Sequence, residues 1–229
     1  MRPMRRALLA GLLVAAIALA YGNSLQGAFV LDDYADILDN PRLRDWWPLA
    51  WLLGTSRPVV DATLALNAAL GGSSPWGYHV LNLLIHALAA MALWALLRRG
   101  MARWAPSEGP AGAEGLAWTA ALLWAVHPLQ TQSVTYVIQR GESLAGLWML
   151  LSLYAATRSL DDARARWRML AVAGSAAAMA TKPIAVVLPA LAVFWDGMLA
   201  REPWPALWQR RRGLYLALAS TWIVLAACL

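Results

Sequence analysis

Along this chain the apolar positions gather into blocks separated by short polar or basic stretches, rather than recurring at a period of two or 3.6. Blocks of this kind read as membrane spans, because a hydrocarbon core of about 30 Å takes roughly 20 apolar residues in a helix. The candidate spans are 6–24, 78–97, 114–127, 142–157, 167–181, 184–199 and 213–229. Several are short, so they need local bilayer thinning or burial among neighbours. The predicted fold class is an all-α membrane protein, a bundle of about seven transmembrane helices with a long first loop over 25–77.

Charge fixes the expected orientation. Basic clusters fall at Arg2/Arg5/Arg6, Arg98/Arg99/Arg103, Arg158/Arg164/Arg166/Arg168 and Arg201/Arg210/Arg211/Arg212. If all lie inside, each interval between them holds an even number of crossings. The semi-apolar stretch 58–70 therefore cannot cross, and 167–199 must cross twice with its turn at Lys182-Pro183, where proline breaks a helix. The N-terminus is then cytoplasmic, and the loop 25–77, the segment 128–141 and the Lys182 turn are outside. A signal peptide cleaved after Ala18-Leu19-Ala20 is the alternative for the first block. A retained span is preferred, because the apolar stretch runs on to Leu25 and further blocks follow.

Composition agrees with a membrane class. The 229 residues are 60% hydrophobic and 14% charged, with a mean hydropathy of +0.50, which leaves too little charged surface for a soluble domain of this size. The net charge of +6 sits in loop clusters, so it points to topology and not to nucleic acid. Cys228 is the sole cysteine, so no intrachain disulfide forms. Arginine outnumbers lysine, with Lys182 the single lysine. Together with the Ala, Gly and Trp content, this reads as a GC-rich bacterial sequence and a multi-pass inner membrane protein. Asp45-Trp-Trp-Pro-Leu-Ala-Trp51 reads as an interfacial segment. The last span stops with the chain at Leu229, as in the front part of a longer protein. No internal repeat is visible.

Polar residues of the outer stretches are the candidates for chemistry. Asp32 and Asp33 are adjacent in Phe29-Val-Leu-Asp-Asp-Tyr34. Their mutual repulsion favours either a retained proton or a shared divalent cation, and both states suit general-base work. The same acids equally read as a solvated acidic loop, with Asp36, Asp39, Asp45 and Asp61 nearby. His79, Asn82 and His86 fall at i, i+3 and i+7, one stripe on one helix face. The two histidines are about 10 Å apart along the axis, too far to share one metal ion. Interhelical hydrogen bonding is the simpler role for that stripe. Arg140 on the outer side calls for a partner: Glu142, a loop aspartate or a bound phosphate. Lys182 sits likewise at an outer turn, where snorkelling to headgroups is its plainer reading.

Taken in order, these blocks resemble the transmembrane-and-tetratricopeptide-repeat proteins, O-mannosyltransferase-like members of the GT-C glycosyltransferase superfamily. The resemblance is carried by Phe29-Val-Leu-Asp-Asp33, Ser56-Arg-Pro-Val59 with Leu66-Asn67, and Gly77-Tyr-His-Val-Leu-Asn-Leu-Leu-Ile-His86. It continues through His127-Pro-Leu-Gln-Thr131 to Gln139-Arg140, then Thr181-Lys-Pro183 with Leu188-Pro189 and Asp196. Members of the family often read Thr-Glu at Thr131-Gln132 and Lys-Glu at Lys182-Pro183. They also continue into further spans and repeats. The resemblance implies a GT-C-like bundle and transfer of a sugar, such as mannose, from a polyprenyl-phosphate donor to a protein hydroxyl on the outer face. It implies Asp32 and Asp33 as catalytic residues, and Arg57, His79, Asn82, His86, His127, Arg140, Glu142 and Lys182 as substrate-binding ones. Two other functions compete with it. One is a non-catalytic anchor that displays repeats for protein assembly. The other is a small-molecule or lipid carrier, which would need mid-membrane charges and internal repeats.

Overall fold

The computed structural model describes residues 2–44, 49–162 and 164–229, and among these every regular element is helical. The tryptophan-rich stretch read as interfacial falls largely on 45–48, outside the described residues. The long helices are α1 (Arg2–Tyr21), α3 (Pro58–Gly71), α4 (Pro75–Trp104), α5 (Gly109–Ala125), α7 (Arg140–Asp161), α8 (Ala165–Met179), α9 (Leu188–Leu199) and α10 (Trp204–Ser220). Short helices α2 (Pro41–Arg44), α6 (Thr131–Thr135) and α11 (Trp222–Cys228) complete the order.

Proline and glycine set several boundaries. Pro58 and Pro75 open α3 and α4 in the first turn, where a missing N–H costs nothing and the fixed φ suits a helix. Gly72 stops α3 with φ +60, a left-handed conformation that glycine adopts without strain. The Tyr78 hydroxyl then donates to the Gly72 carbonyl at 3.1 Å and fixes the α3–α4 hairpin. Between α8 and α9 the chain turns through Ala180–Lys182, and Pro183 begins a short 3₁₀ turn, Pro183–Val187.

The helix α4 is the spine. It packs along α5 and α7 and touches α1, while α8 lies against α7. Buried Leu13, Ile17 and Tyr21 recur every four residues of α1 and seat it on Ala87 and Ala90 of α4. Small residues let these helices approach closely: Gly174 of α8 faces Ser152 of α7, where an added Cβ would meet Ser152 atoms at 3.2–3.3 Å.

Among the described residues two helices are long and apolar enough to cross a membrane, Pro3–Gln26 and Pro75–Trp104. The apolar window of the first is 22% buried and that of the second 50%, so α1 is peripheral and α4 central. Helices α5, α8 and α9 have 17, 15 and 12 residues, short of a full crossing. Large apolar side chains stay exposed on several helices: Leu8 and Leu12 on α1, Leu116 and Leu123 on α5, and Phe194 on α9. Such faces need an apolar cover.

At the far end of α4 from His79, arginines meet two carboxylates. Glu114 is buried and pairs with Arg6 at 2.8 Å and Arg98 at 3.5 Å, tying α1 and α4 to α5. Asp161 pairs with Arg99 at 2.9 Å and with Arg103, tying α7 to α4. Nearby, buried Arg211 donates to Asp196 Oδ2 at 2.6 Å and to Ser159 Oγ at 2.6 Å, locking α10 to α9 and α7.

Candidate functional site

The loop after α1 is held in a tight turn. Asp33 is fully buried, and its carboxylate accepts the Val30 amide at 3.0 Å and the Ile138 amide at 2.9 Å. Burial pushes the Asp33 carboxyl above its ordinary value, against the opposing pull of those two amides and of nearby His79. Leu31 takes φ +48, a left-handed conformation that costs a branched-chain residue about 1 kcal/mol or more. The turn persists because Asp33 and Tyr34 also donate backbone bonds to Val30 and Leu31. Its effect is to turn Asp32 outward.

Asp32 is exposed, with its amide donating to the Tyr136 hydroxyl at 3.0 Å. It lines a pocket of about 70 Å³ together with Asp36, Arg57, Ile138, Gln139, Gly141 and Lys182. Arg57 Nη2 bonds Asp36 Oδ2 at 3.1 Å, and Lys182 Nζ lies 2.5 Å from Glu142 Oε1. The Val59 amide donates to the Ala180 carbonyl at 3.2 Å, the link that brings Arg57 beside the Lys182 turn. A second cavity of about 300 Å³ shares Asp36 and Arg57 with the first and adds Asn40, Arg42, Trp51, Thr55, Ser56 and Asp61. A larger cavity of about 560 Å³ lies across the loop, lined mainly by apolar residues such as Ile37, Leu43 and Tyr78.

The histidine–asparagine stripe lies behind this surface. His79 is buried against the Gly27 backbone, where an added Cβ would stand 2.9 Å from its Nε2. Asn82 is fully buried and directs its amide at the carbonyls of Val134, Tyr136 and Val137, at 3.3–3.5 Å. His86 shares a 2.8 Å hydrogen bond between Nε2 and the Ala125 carbonyl and stacks on Trp124. His127 is exposed; its Nδ1 accepts the Leu129 amide at 3.2 Å and its carbonyl accepts the Tyr21 hydroxyl.

Arg140 is fully buried. Its guanidinium donates to Asn82 Oδ1 at 2.6 Å, the Tyr78 carbonyl at 3.0 Å and the Thr63 carbonyl at 3.2 Å, and sits 5.7 Å from the Tyr78 ring centre. It lines neither cavity beside Asp32. The structure thus gathers Asp32, Arg57, Glu142 and Lys182 at one surface and sets Asp33, His79, Asn82, His86 and Arg140 beneath or beside it. Asp36, read from the sequence only as one of several nearby loop acids, and Gln139 also belong to the pocket. The signal for Asp36 is its spacing of four from Asp32, which suits two side chains on one side of a helical turn. Among the described residues no three His, Cys, Asp or Glu side chains converge as metal ligands do.

This arrangement defines an all-helical protein with candidate membrane helices and a charged polar surface at one end. The chain is a homologue of the protein O-mannosyl-transferases, as its ordered motifs implied. It is 34% identical, over an alignment of 169 positions that covers 67% of its length, to protein O-mannosyl-transferase TMTC1 of Homo sapiens. To Tmtc3 of Drosophila melanogaster it is 31% identical over 68% of its length, and to human TMTC4 28% identical over 82%. The aligned parts amount to 18%, 20% and 29% of those relatives, so the chain spans less than a third of each. No family model matches the chain. No solved structure matches it either.

Proposed function

We infer that this chain is the N-terminal part of a GT-C-like membrane glycosyltransferase. The sugar (mannose, on the names of its relatives) passes from a polyprenyl-phosphate donor to a protein hydroxyl at the outer face. The observation that carries this reading is an exposed carboxylate, Asp32, sharing one pocket with the cationic Arg57 and Lys182. An acceptor hydroxyl is a poor nucleophile at neutral pH, and a positioned carboxylate that takes its proton raises its reactivity. As the new glycosidic bond forms at the anomeric carbon, the bond to phosphate breaks and negative charge grows on the leaving oxygen. Lys182 and Arg57 are suited to stabilise that charge.

The volumes divide the work. A space of about 70 Å³ holds roughly two waters, enough for the reacting hydroxyl and not for a sugar ring. The adjoining 300 Å³ cavity has the size of a small-molecule site, about 300 Å³ upward. Its Trp51 and polar lining suit a sugar or an acceptor side chain. In this reading seven spans carry the chain with its N-terminus inside, and the exposed leucines of α1 and α5 face lipid.

Asp32→Asn in the full-length protein, assayed with a polyprenyl-phosphate mannose donor and a peptide acceptor, tests the assignment. Transfer should fall about a hundredfold or more, with expression and melting temperature unchanged, while Asp39→Asn retains activity. Near wild-type transfer by the Asp32 variant would refute the assignment and favour an anchor for a repeat domain.

A further inference from the structure

A second charged cavity, of about 450 Å³, lies among α1, α4, α5 and α7. On α4 it is reached about 19 residues beyond His79, roughly 28 Å along the axis at 1.5 Å per residue. It is therefore remote from Asp32. Five arginines line it: Arg6, Arg98, Arg99, Arg103 and Arg158. Among the described residues the carboxylates paired with them are Asp161 and Glu114, so five cations face two anions. Among the described residues Arg158 has no ion-pair partner, and it lies 4.5 Å from the Trp167 ring centre. Surplus positive charge on a concave surface calls for an anion with several acceptor oxygens.

The walls favour one source for that anion. Beyond Ala113, which lines the cavity, the neighbouring face of α5 exposes Leu116 and Leu123. Exposed leucines further along a helix that walls a basic cavity suit an acyl chain whose phosphate sits in it, and a free inorganic ion would leave them unused. We propose that this cavity binds the phosphate headgroup of an anionic phospholipid, whose acyl chains lie along the exposed face of α5. The bound lipid would complete the junction of four helices that otherwise carries unbalanced positive charge. The inference uses the membrane placement of α1 and α4 and is independent of glycosyl transfer.

Native mass spectrometry of the delipidated full-length protein, titrated with phosphatidylglycerol, phosphatidylcholine or inorganic phosphate, tests it. Two variants address the cavity: Arg158→Gln removes an unpaired cation, and Ala102→Glu adds a carboxylate at an exposed lining position. Arg168→Gln removes an exposed arginine that does not line it. One phosphatidylglycerol should bind tightly and phosphatidylcholine should not. Each cavity variant should lose about fivefold or more in affinity, and the Arg168 variant should match wild type. Equal retention of both lipids, full binding by both cavity variants, or an equal loss in the Arg168 variant overturns the site. Displacement of the lipid by inorganic phosphate at matching affinity overturns the lipid as its occupant.

Discussion

Glu142 holds Lys182, with Oε1 2.5 Å from Nζ, at the pocket that Asp32 lines. Both side chains are partly exposed, 46% and 32%, so the pair adds at most about 1 kcal/mol to stability. Its effect is to engage the cation that would otherwise meet a phosphate. Glu142→Gln should therefore tighten binding of a polyprenyl-phosphate analogue severalfold. Lys182→Gln should weaken it about tenfold, the scale of one charge-assisted hydrogen bond. Thermophoresis on full-length protein would measure both, and wild-type affinity in the Lys182 variant would remove that residue from the donor site.

Asp33→Ala should act on stability. It deprives the Val30 and Ile138 amides of their acceptor, and each buried donor left unpaired costs about 1–3 kcal/mol. Amide hydrogen exchange should speed at those two residues while most of α4 stays protected. Unchanged protection at Ile138 would contradict the bond.

The raised titration of Asp33 also gives a pH dependence. The folded state holds the proton more tightly, so this group's contribution is whole below its unfolded value near about 3.9 and fades as pH rises through the folded value. Wild type measured against Asp33→Asn isolates the group. The stability of wild type relative to the variant should fall as pH rises above the unfolded value near about 3.9. A difference that grows with pH would reverse the sign and show a carboxylate stabilised as the anion.

Arg140→Gln should be the most damaging of these changes. It strips donors from Asn82, Tyr78 and Thr63 inside the fold, a loss of about 3 kcal/mol or more. Arg140→Lys should recover little of that, because an ammonium cannot span the same fork of acceptors. Melting temperatures in detergent should order wild type, Lys182→Gln and then Arg140→Gln, with a wide second gap.

Gly27→Ala is a steric test. Gly27 has φ −68 and ψ 149, which alanine adopts freely, yet the new Cβ would stand 2.8 Å from the Ser24 carbonyl oxygen and 2.9 Å from His79 Nε2. A backbone oxygen cannot retreat as a flexible side chain does, so a loss of about 1–3 kcal/mol is expected. A melting temperature equal to wild type would mean that the loop relaxes around the methyl group.

The helical character of the chain is legible in its sequence, because apolar blocks end at proline, glycine or arginine clusters. Pro75 opens α4, Gly72 closes α3, and Pro183 follows the break after α8. Side-chain partners are much less legible. Arg140, read as an outer-surface arginine, needs acceptors from Thr63, Tyr78 and Asn82, and their convergence depends on how α3 and α4 cross α7. The adjacent Asp32 and Asp33 are chemically equivalent as a sequence. They part only because the left-handed Leu31 and the Ile138 amide turn one carboxylate in and leave the other out. Lys182 was visible as a lone lysine, but its contact with Glu142 required the turn between α8 and α9 to be folded over the start of α7.

A ribosome delivers Thr63, Tyr78 and Asn82 before Arg140, so the guanidinium meets a finished set of acceptors as it emerges. Asp33 has the opposite experience. The Ile138 amide lies 105 residues further on, roughly 5–20 s of synthesis at about 5–20 residues per second. Through that interval water must serve Oδ1, and the turn that aims Asp32 lacks one of its two anchors. The pocket is bounded by Ile138, Gln139 and Lys182, so its first carboxylate is made early and its walls arrive late. A nascent chain halted before residue 138 would carry Asp32 on a loop still free to move.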